Sequence, residues 1–90
     1  MNTDQKNPTK QAVAVRDFGL ASAFAAAGIP LLRLESSGSS IHFIFEGYRD
    51  KLDALESGYW NGTLSLPVRD VIVHHKLLKD RIFSFGRNVR

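Results

Sequence analysis

The sequence contains no cysteine. This absence excludes a disulfide framework, thiolate metal ligands and a cysteine nucleophile. No apolar run approaches the roughly 18 residues that a membrane span needs, and residues 1–11 lack the apolar stretch of a secretory signal. We therefore expect a cytoplasmic protein with no membrane partner.

Motifs that carry catalytic or metal chemistry are also missing. The chain has no phosphate-binding glycine-rich loop, no nucleophile elbow and no HExxH sequence. His74 and His75 are adjacent on a predicted helix, where side chains diverge by about 100° and cannot both face one ion. We predict no catalytic residue, no metal site and no cofactor, and we interpret the protein as non-enzymatic.

What the chain does contain is enough apolar sequence for one small core, since 43% of its 90 residues are hydrophobic. Residues 1–10 are polar and lack periodicity, so they predict a disordered tail. Residues 11–86 predict a single α+β domain, and residues 87–90 a basic tail. A domain of this size is modestly stable, which makes oligomerisation plausible.

The hydrophobic pattern predicts alternating strands and helices. Asp17 is a candidate N-cap for the first helix, and Gly28 is the candidate residue that ends it. The serine-rich residues 36–40 predict the turn of an antiparallel hairpin. The predicted elements are strands over 11–16, 29–35, 41–46 and 63–66, and helices over 18–27, 48–57 and 67–85.

This order is βαββαβ-like, as in ferredoxin-like domains with a small antiparallel sheet, and a C-terminal amphipathic helix follows it. Both helices of that arrangement cover one face of the sheet, so the C-terminal helix is a candidate cover for the open face. The segments 11–16 and 63–66 are the weakest strands. If either is absent, the fold is a plainer α+β layer.

The segment 41–46 is the clearest strand, because Ile41, Phe43 and Phe45 alternate with other residues and predict one buried face. Aromatic residues on such a strand also stack bases in RNA-recognition modules. The Lys/Arg-Gly-aromatic lead-in of those modules is missing here. We therefore favour a core role for Phe43 and Phe45 over base stacking.

Large apolar residues predict both the packed face of the last helix and an interface. At about 100° per residue, one broad face of this helix holds Val68, Val71, Ile72, His75, Leu78, Ile82 and Phe85. His75 on that face predicts a hydrogen-bonded core histidine. Val73 and Leu77 lie outside the face as a small ridge, and Trp60 either closes the hydrophobic layer or anchors a partner. Trp60, Val73 and Leu77 are therefore the candidate contacts of a homodimer, and the N-terminal segment is the alternative cover for Val73 and Leu77.

Positive charge is concentrated at the C-terminal end. Residues 69–90 hold six Lys/Arg and two Asp/Glu, a net charge of +4, whereas residues 1–68 carry −1. Such an end predicts contact with nucleic acid or an acidic protein, although cations near a helix C-terminus also complement its dipole. The helical cations are assigned to two flanks. The candidate nucleic-acid-binding residues are Arg69, Lys76, Lys79, Arg81, Arg87 and Arg90.

Loose motifs spread over residues 15–84 carry a resemblance to a known family. They are Asp17-x-x-Leu20-Ala21-x-x-Phe24-x-x-x-Gly28, Phe43-x-Phe45-Glu46, Tyr59-x-x-Gly62 and Leu77-Leu78-Lys79-Asp80. With these motifs the chain resembles short uncharacterised proteins of phages and bacterial mobile elements, which form a domain of unknown function. The resemblance implies a small accessory protein in that setting and carries over no site residue.

Overall fold

The computed structural model describes residues 9–88, with side chains as far as residue 86. Six elements follow one another in it, and they confirm the α+β class with an antiparallel sheet. They are β1 (Lys10–Val15), α1 (Phe18–Ala26), β2 (Leu31–Ser37), β3 (Ser40–Tyr48), α2 (Arg49–Asn61) and α3 (Val68–Asn88). Residues 1–8 of the predicted tail lie outside the described residues. Lys10, the last residue of that tail, belongs to β1.

The three strands form one antiparallel sheet in the order β1-β3-β2. The hairpin of β2 and β3 turns through Gly38 and Ser39, and only Gly38 has a positive φ, of 63°. That pattern is typical of a type II′ turn, which matches the twist of the flanking strands. Near its start β2 contains one extra residue, Leu32, because the register shifts between Leu31 and Arg33.

The strand expected over 63–66 is absent, and residues 63–67 are irregular. The N–H groups of Thr63 and Leu64 instead donate to the carbonyl oxygen of Gly58, at 2.9 and 3.0 Å. This close return of the chain competes with extended pairing. The complete βαββαβ-like order is therefore not confirmed, and the plainer α+β arrangement describes the sheet.

The ends of α1 follow from local signals. Asp17 caps the helix, because its Oδ2 accepts a hydrogen bond of 2.8 Å from the N–H of Leu20. Beyond the last turn Gly28 has a φ of 90°, a conformation that favours glycine. Both residues act as the sequence predicts.

The predicted C-terminal ends of α2 and α3 are wrong. Helix α2 continues through Gly58 and ends at Gly62, whose φ is 78°. A Cβ at position 58 would lie 3.3 Å from that of Leu64, so Gly58 permits close approach of the irregular segment instead of stopping the helix. Gly86 likewise lies inside α3, which continues to Asn88.

The core lies between the sheet and α1. Phe24, Phe43 and Phe45 are fully buried, and Phe24 packs edge-to-face on Phe45 with ring centroids 5.4 Å apart. Phe43 and Phe45 are therefore core residues, and they are not accessible for base stacking. Ile44, on the opposite face of β3, is also buried, which the alternation did not predict.

Helix α3 packs against α1, not against the open face of the sheet as expected. The buried side chain of Leu78 joins the core from this position. His75 is exposed and stacks on Phe18 with ring centroids 4.3 Å apart, so its assignment as a core histidine is wrong. No helix in the described part of the chain is both long enough and apolar enough to cross a membrane.

Candidate nucleic-acid interface

The face of α3 that packs on α1 is centred on Leu78. At about 100° per residue, the residues within about 40° of Leu78 are Val71, His74, Ile82 and Phe85, and all four are partly buried. They define a narrow packed face. Val71 is in the first turn, where its N–H donates to the carbonyl oxygen of Pro67 at 3.2 Å.

Two residues of the predicted broad face lie outside the packed one. Val68 is 72% exposed and Ile72 is 62% exposed. Their exposure follows from the size of the partner helix. Helix α1 has 9 residues and α3 has 21, so α1 extends for about 14 Å beside about 31 Å of α3. An alanine-rich helix of that length covers only a short, narrow strip.

The exposed side of α3 carries a stripe of alternating character, here called the outer stripe. Its residues follow the spacing 3-4-3-4, which places them within an arc of about 80° on one face. They are Arg69, Ile72, Lys76, Lys79 and Phe83. All five are exposed, and no acidic residue belongs to the stripe, although Asp80 borders it.

The three cations of the outer stripe are available to a partner. Among the described side chains the single ion pair joins Arg33 to Glu35, at 2.8 Å, so Arg69, Lys76 and Lys79 are not neutralised by a direct contact. Their side chains are exposed, and long-stemmed cations of this kind keep their charged ends in water. The stripe is therefore a cationic surface in which apolar groups are interspersed.

The other predicted cations lie elsewhere. Arg81 is on the opposite flank of α3, where it lines a cavity of about 420 Å³ together with His74 and Leu77. The rest of the wall comes from Leu78, Asp80 and Ser84 of α3 and from Ala25, Ile29 and Leu31. The side chain of Arg87 and the whole of Arg90 lie outside the described residues. Three of the six predicted cations thus share one face.

Two of the three predicted interface residues, Trp60 and Leu77, line different depressions. Trp60 is 59% exposed in the last turn of α2 and packs edge-to-face on Tyr59, with ring centroids 4.8 Å apart. It lines a cleft beside β1, whereas Leu77 lines the cavity between α1 and α3. Because its side chain is largely exposed, Trp60 does not close the hydrophobic layer. Val73 and Leu77 are also exposed.

Sequence reasoning missed the apolar members of the outer stripe. Ile72 was assigned to the packed face, and Phe83 to no face at all. The 3-4-3-4 spacing that begins at Arg69 was the signal that identifies the stripe. The predicted packed face includes Ile72 and is wider than the observed one, so this spacing was missed.

No protein-family model matches the chain, and comparison with curated proteins and with solved structures also found no match. The side chains of α3 are therefore the basis for assigning a function.

Proposed function

We propose that this protein is a small non-enzymatic accessory protein that binds nucleic acid through the outer stripe of α3. One observation carries the proposal: Arg69, Lys76 and Lys79 share an exposed face and none of them has an acidic partner among the described side chains. From Arg69 to Lys79 the helix rises about 15 Å. Over that length a duplex presents roughly nine phosphate charges.

The apolar residues of the stripe favour a single strand. The side chain of Phe83 is 73% exposed, and stacking of an unpaired base on an aromatic side chain contributes about 1–3 kcal/mol per base. Ile72 lies between Arg69 and Lys76 and offers apolar contact beside the phosphate-binding side chains. We expect tighter binding to single-stranded than to double-stranded nucleic acid of the same length.

The test compares two triple variants that lose the same charge. One removes the stripe cations (Arg69→Gln, Lys76→Gln, Lys79→Gln). The matched control removes exposed cations on β2 and α2 (Arg33→Gln, Arg49→Gln, Lys51→Gln). Fluorescence anisotropy with a labelled mixed-sequence single strand at about 50 mM salt measures the affinity.

We expect the stripe variant to lose at least about tenfold in affinity, while the control changes by less than about threefold. An equal loss in both variants would mean that net charge alone attracts nucleic acid, without a binding face. If the parent protein does not bind at this salt concentration, the proposal is wrong.

A second function, a protein-interaction or homo-oligomerisation module, is favoured by the other flank of α3. Val73 and Leu77 are exposed there, and Leu77 lines the cavity of about 420 Å³, whose wall also includes Ile29 and Leu31. Such a surface suits association with a second copy. Light scattering decides: a dimer that the double change Val73→Glu and Leu77→Glu converts to a folded monomer supports this function, and a monomeric parent rejects the homodimer.

The biological setting is proposed from the sequence alone. The resemblance over residues 15–84 supports an accessory role in a phage or bacterial mobile element, and a cytoplasmic location belongs to the same proposal. Gene neighbourhood tests the setting. Homologues encoded among phage or transfer genes would support it, whereas homologues placed consistently among housekeeping genes would contradict it.

A further inference from the structure

Strand β1 lies at an edge of the sheet. Within the described residues its one strand neighbour is β3, which pairs with it along its whole length. Alternate N–H and C=O groups of an edge strand point away from the sheet and can pair with another chain. No backbone hydrogen bond to β1 from a turn or loop of the described residues occupies these groups.

A cleft of about 240 Å³ runs beside this edge, between β1 and α2. The consecutive residues 13–17 all contribute to its wall. Because successive side chains of a strand point to opposite faces, a cleft that touches the consecutive residues 13–15 follows the edge of the second half of β1. Its apolar lining includes Val13, Val15, Leu20 and Leu52.

The described part of the chain does not fill this position itself. In the βαββαβ-like order a strand that follows α2 returns to the sheet, but residues 63–67 are held elsewhere. The N–H of Leu64 donates a hydrogen bond to the carbonyl oxygen of Gly58. The side chains of Leu64 and Leu66 line a depression together with Gly19 and Val71. The edge of β1 is thus left without the strand that this order would supply from within the described chain.

The wall of the cleft on α2 is acidic and ends in an aromatic side chain. Asp53, Glu56 and Trp60 line it at the spacing 3-4, so they occupy one face of the helix. Asp17 adds a third carboxylate, and Arg16 is the single cation of the lining. Neither Asp53 nor Glu56 forms an ion pair among the described side chains. The cleft therefore complements positive charge.

We infer that β1 accepts an extended cationic peptide segment as an added fourth strand. Main-chain hydrogen bonds to the edge of β1 supply affinity, as in other cases of strand addition. Side chains of the added strand that point towards the cleft alternate with side chains that point to the opposite face. The cleft-facing positions therefore hold both the apolar side chains above Val13 and Val15 and the lysine or arginine that meets Asp53 and Glu56. Trp60 offers its ring to one of these cations. This site is separate from the outer stripe of α3.

The same charges argue against a second copy of this chain as the occupant. Antiparallel pairing of two β1 edges would bring two acidic α2 walls towards each other, and like charges across an interface are unfavourable. A cationic segment is attracted by the acidic wall instead of being repelled by it. The proposed occupant is therefore a basic peptide in extended conformation.

The test uses Trp60, which is the one tryptophan of the chain and stands at the rim of the cleft. The probe is a ten-residue peptide in which every second residue is threonine and the residues between are valine and lysine in turn, so that one face of the extended peptide presents both. One control peptide has glutamate in place of lysine, and a second has proline in place of valine, which removes main-chain donors. We expect a saturable change in Trp60 emission with the lysine peptide and with neither control, together with slower hydrogen exchange of β1 amides.

Matched variants locate the contact. Glu56→Lys should lower the affinity for the lysine peptide roughly tenfold, since the charge at the rim of the cleft then repels the peptide instead of attracting it. Asp80→Lys makes the same change in charge on α3 and should leave the affinity unchanged. Asp53→Asn, which keeps the shape of the side chain, provides a second test if Glu56→Lys does not fold. The stripe variant of α3 should bind the peptide normally.

Four outcomes of the peptide experiments would overturn the inference. They are no saturable change in emission, equal binding of the lysine and glutamate peptides, equal weakening by Glu56→Lys and Asp80→Lys, and retained binding of the proline peptide. A dimer that protects β1 amides without peptide would also overturn it, because the occupant would then be a second copy. Failure of nucleic-acid binding leaves this result unaffected.

Discussion

Phe18 of α1 and His75 of α3 stack face to face, with ring centroids 4.3 Å apart and 15° between the ring planes. Phe18 also stacks on Phe43 of β3, at 5.9 Å and 21°. The three rings form a column that connects the sheet, α1 and α3. Because this column helps to hold α3 in place, it sets which side of α3, and hence which residues, face solvent.

The column predicts a ranking of two substitutions. Phe18→Ala should lower the free energy of unfolding by about 3 kcal/mol, because Phe18 contacts rings on both sides. His75→Ala should cost about 1 kcal/mol, since His75 is exposed and loses one stacking partner. Urea unfolding measures both values. Equal costs would show that Phe18 does not link the two elements.

Burial of Phe43 predicts a large loss on truncation. Phe43→Ala should lower the free energy of unfolding by about 3–5 kcal/mol, which is comparable to the whole stability of a small domain. Ile72→Ala removes an exposed side chain on α3 and should change it by less than about 0.5 kcal/mol. Thermal unfolding of the two variants checks the contrast, and an unchanged melting temperature for Phe43→Ala would contradict the core assignment.

Two glycines predict opposite effects of alanine. Gly86 lies inside α3, and a Cβ there would meet no atom within 4 Å. Gly86→Ala should therefore stabilise the protein by about 0.5–1 kcal/mol. Gly62 has a φ of 78° at the end of α2, so Gly62→Ala should destabilise it by about 1–2 kcal/mol. The same sign for both variants in chemical denaturation would contradict the assigned helix ends.

The pKa of the Tyr59 hydroxyl is raised from its ordinary value, chiefly by desolvation and further by the charge of Asp17 and the hydrogen bond of 3.2 Å that Tyr59 donates to it. A raised pKa in the folded state means that this group's contribution to stability is full below the unfolded pKa of about 10. The contribution is lost as the pH rises through the folded pKa.

Ultraviolet titration of a Tyr48→Phe variant isolates the Tyr59 phenol, because the chain has two tyrosines. We expect its midpoint above about 10 and a lower midpoint after Asp17→Asn, which removes the charge but can still cap α1. An Asp17→Asn midpoint equal to that of the parent would contradict a role for the carboxylate.

The parts of the fold that could be predicted depend on short-range signals. Asp17 and Gly28 mark the ends of α1 through their own backbone and side-chain chemistry. The hairpin follows from alternation around a glycine-containing turn. These signals act within a few residues, so the sequence alone reveals them.

The parts that could not be predicted depend on tertiary contacts. Gly58 resembles a helix stop, but its role is to let Leu64 approach closely. Residues 63–66 have a pattern compatible with a strand, yet hydrogen bonds to Gly58 hold the start of this segment beside α2. No local rule distinguishes these uses of the same residues.

The sequence predicts which cations belong to the candidate site, but it does not predict that three of them share one face of α3. The charge count identifies Arg69, Lys76 and Lys79 as candidates. Their common face depends on the width of the strip that α1 covers, and that width is a property of the helix pair. The exposure of Ile72 has the same origin.

The salt dependence of nucleic-acid binding tests the central claim most directly. Binding of a mixed-sequence single strand should weaken linearly in log affinity against log salt. Each lost phosphate contact lowers the slope by about 0.7. Replacing Arg69, Lys76 and Lys79 by Gln should therefore reduce the magnitude of the slope by about two, whereas replacing Arg33, Arg49 and Lys51 should leave it unchanged. A slope that is the same in the parent and the stripe variant would contradict phosphate binding by the outer stripe.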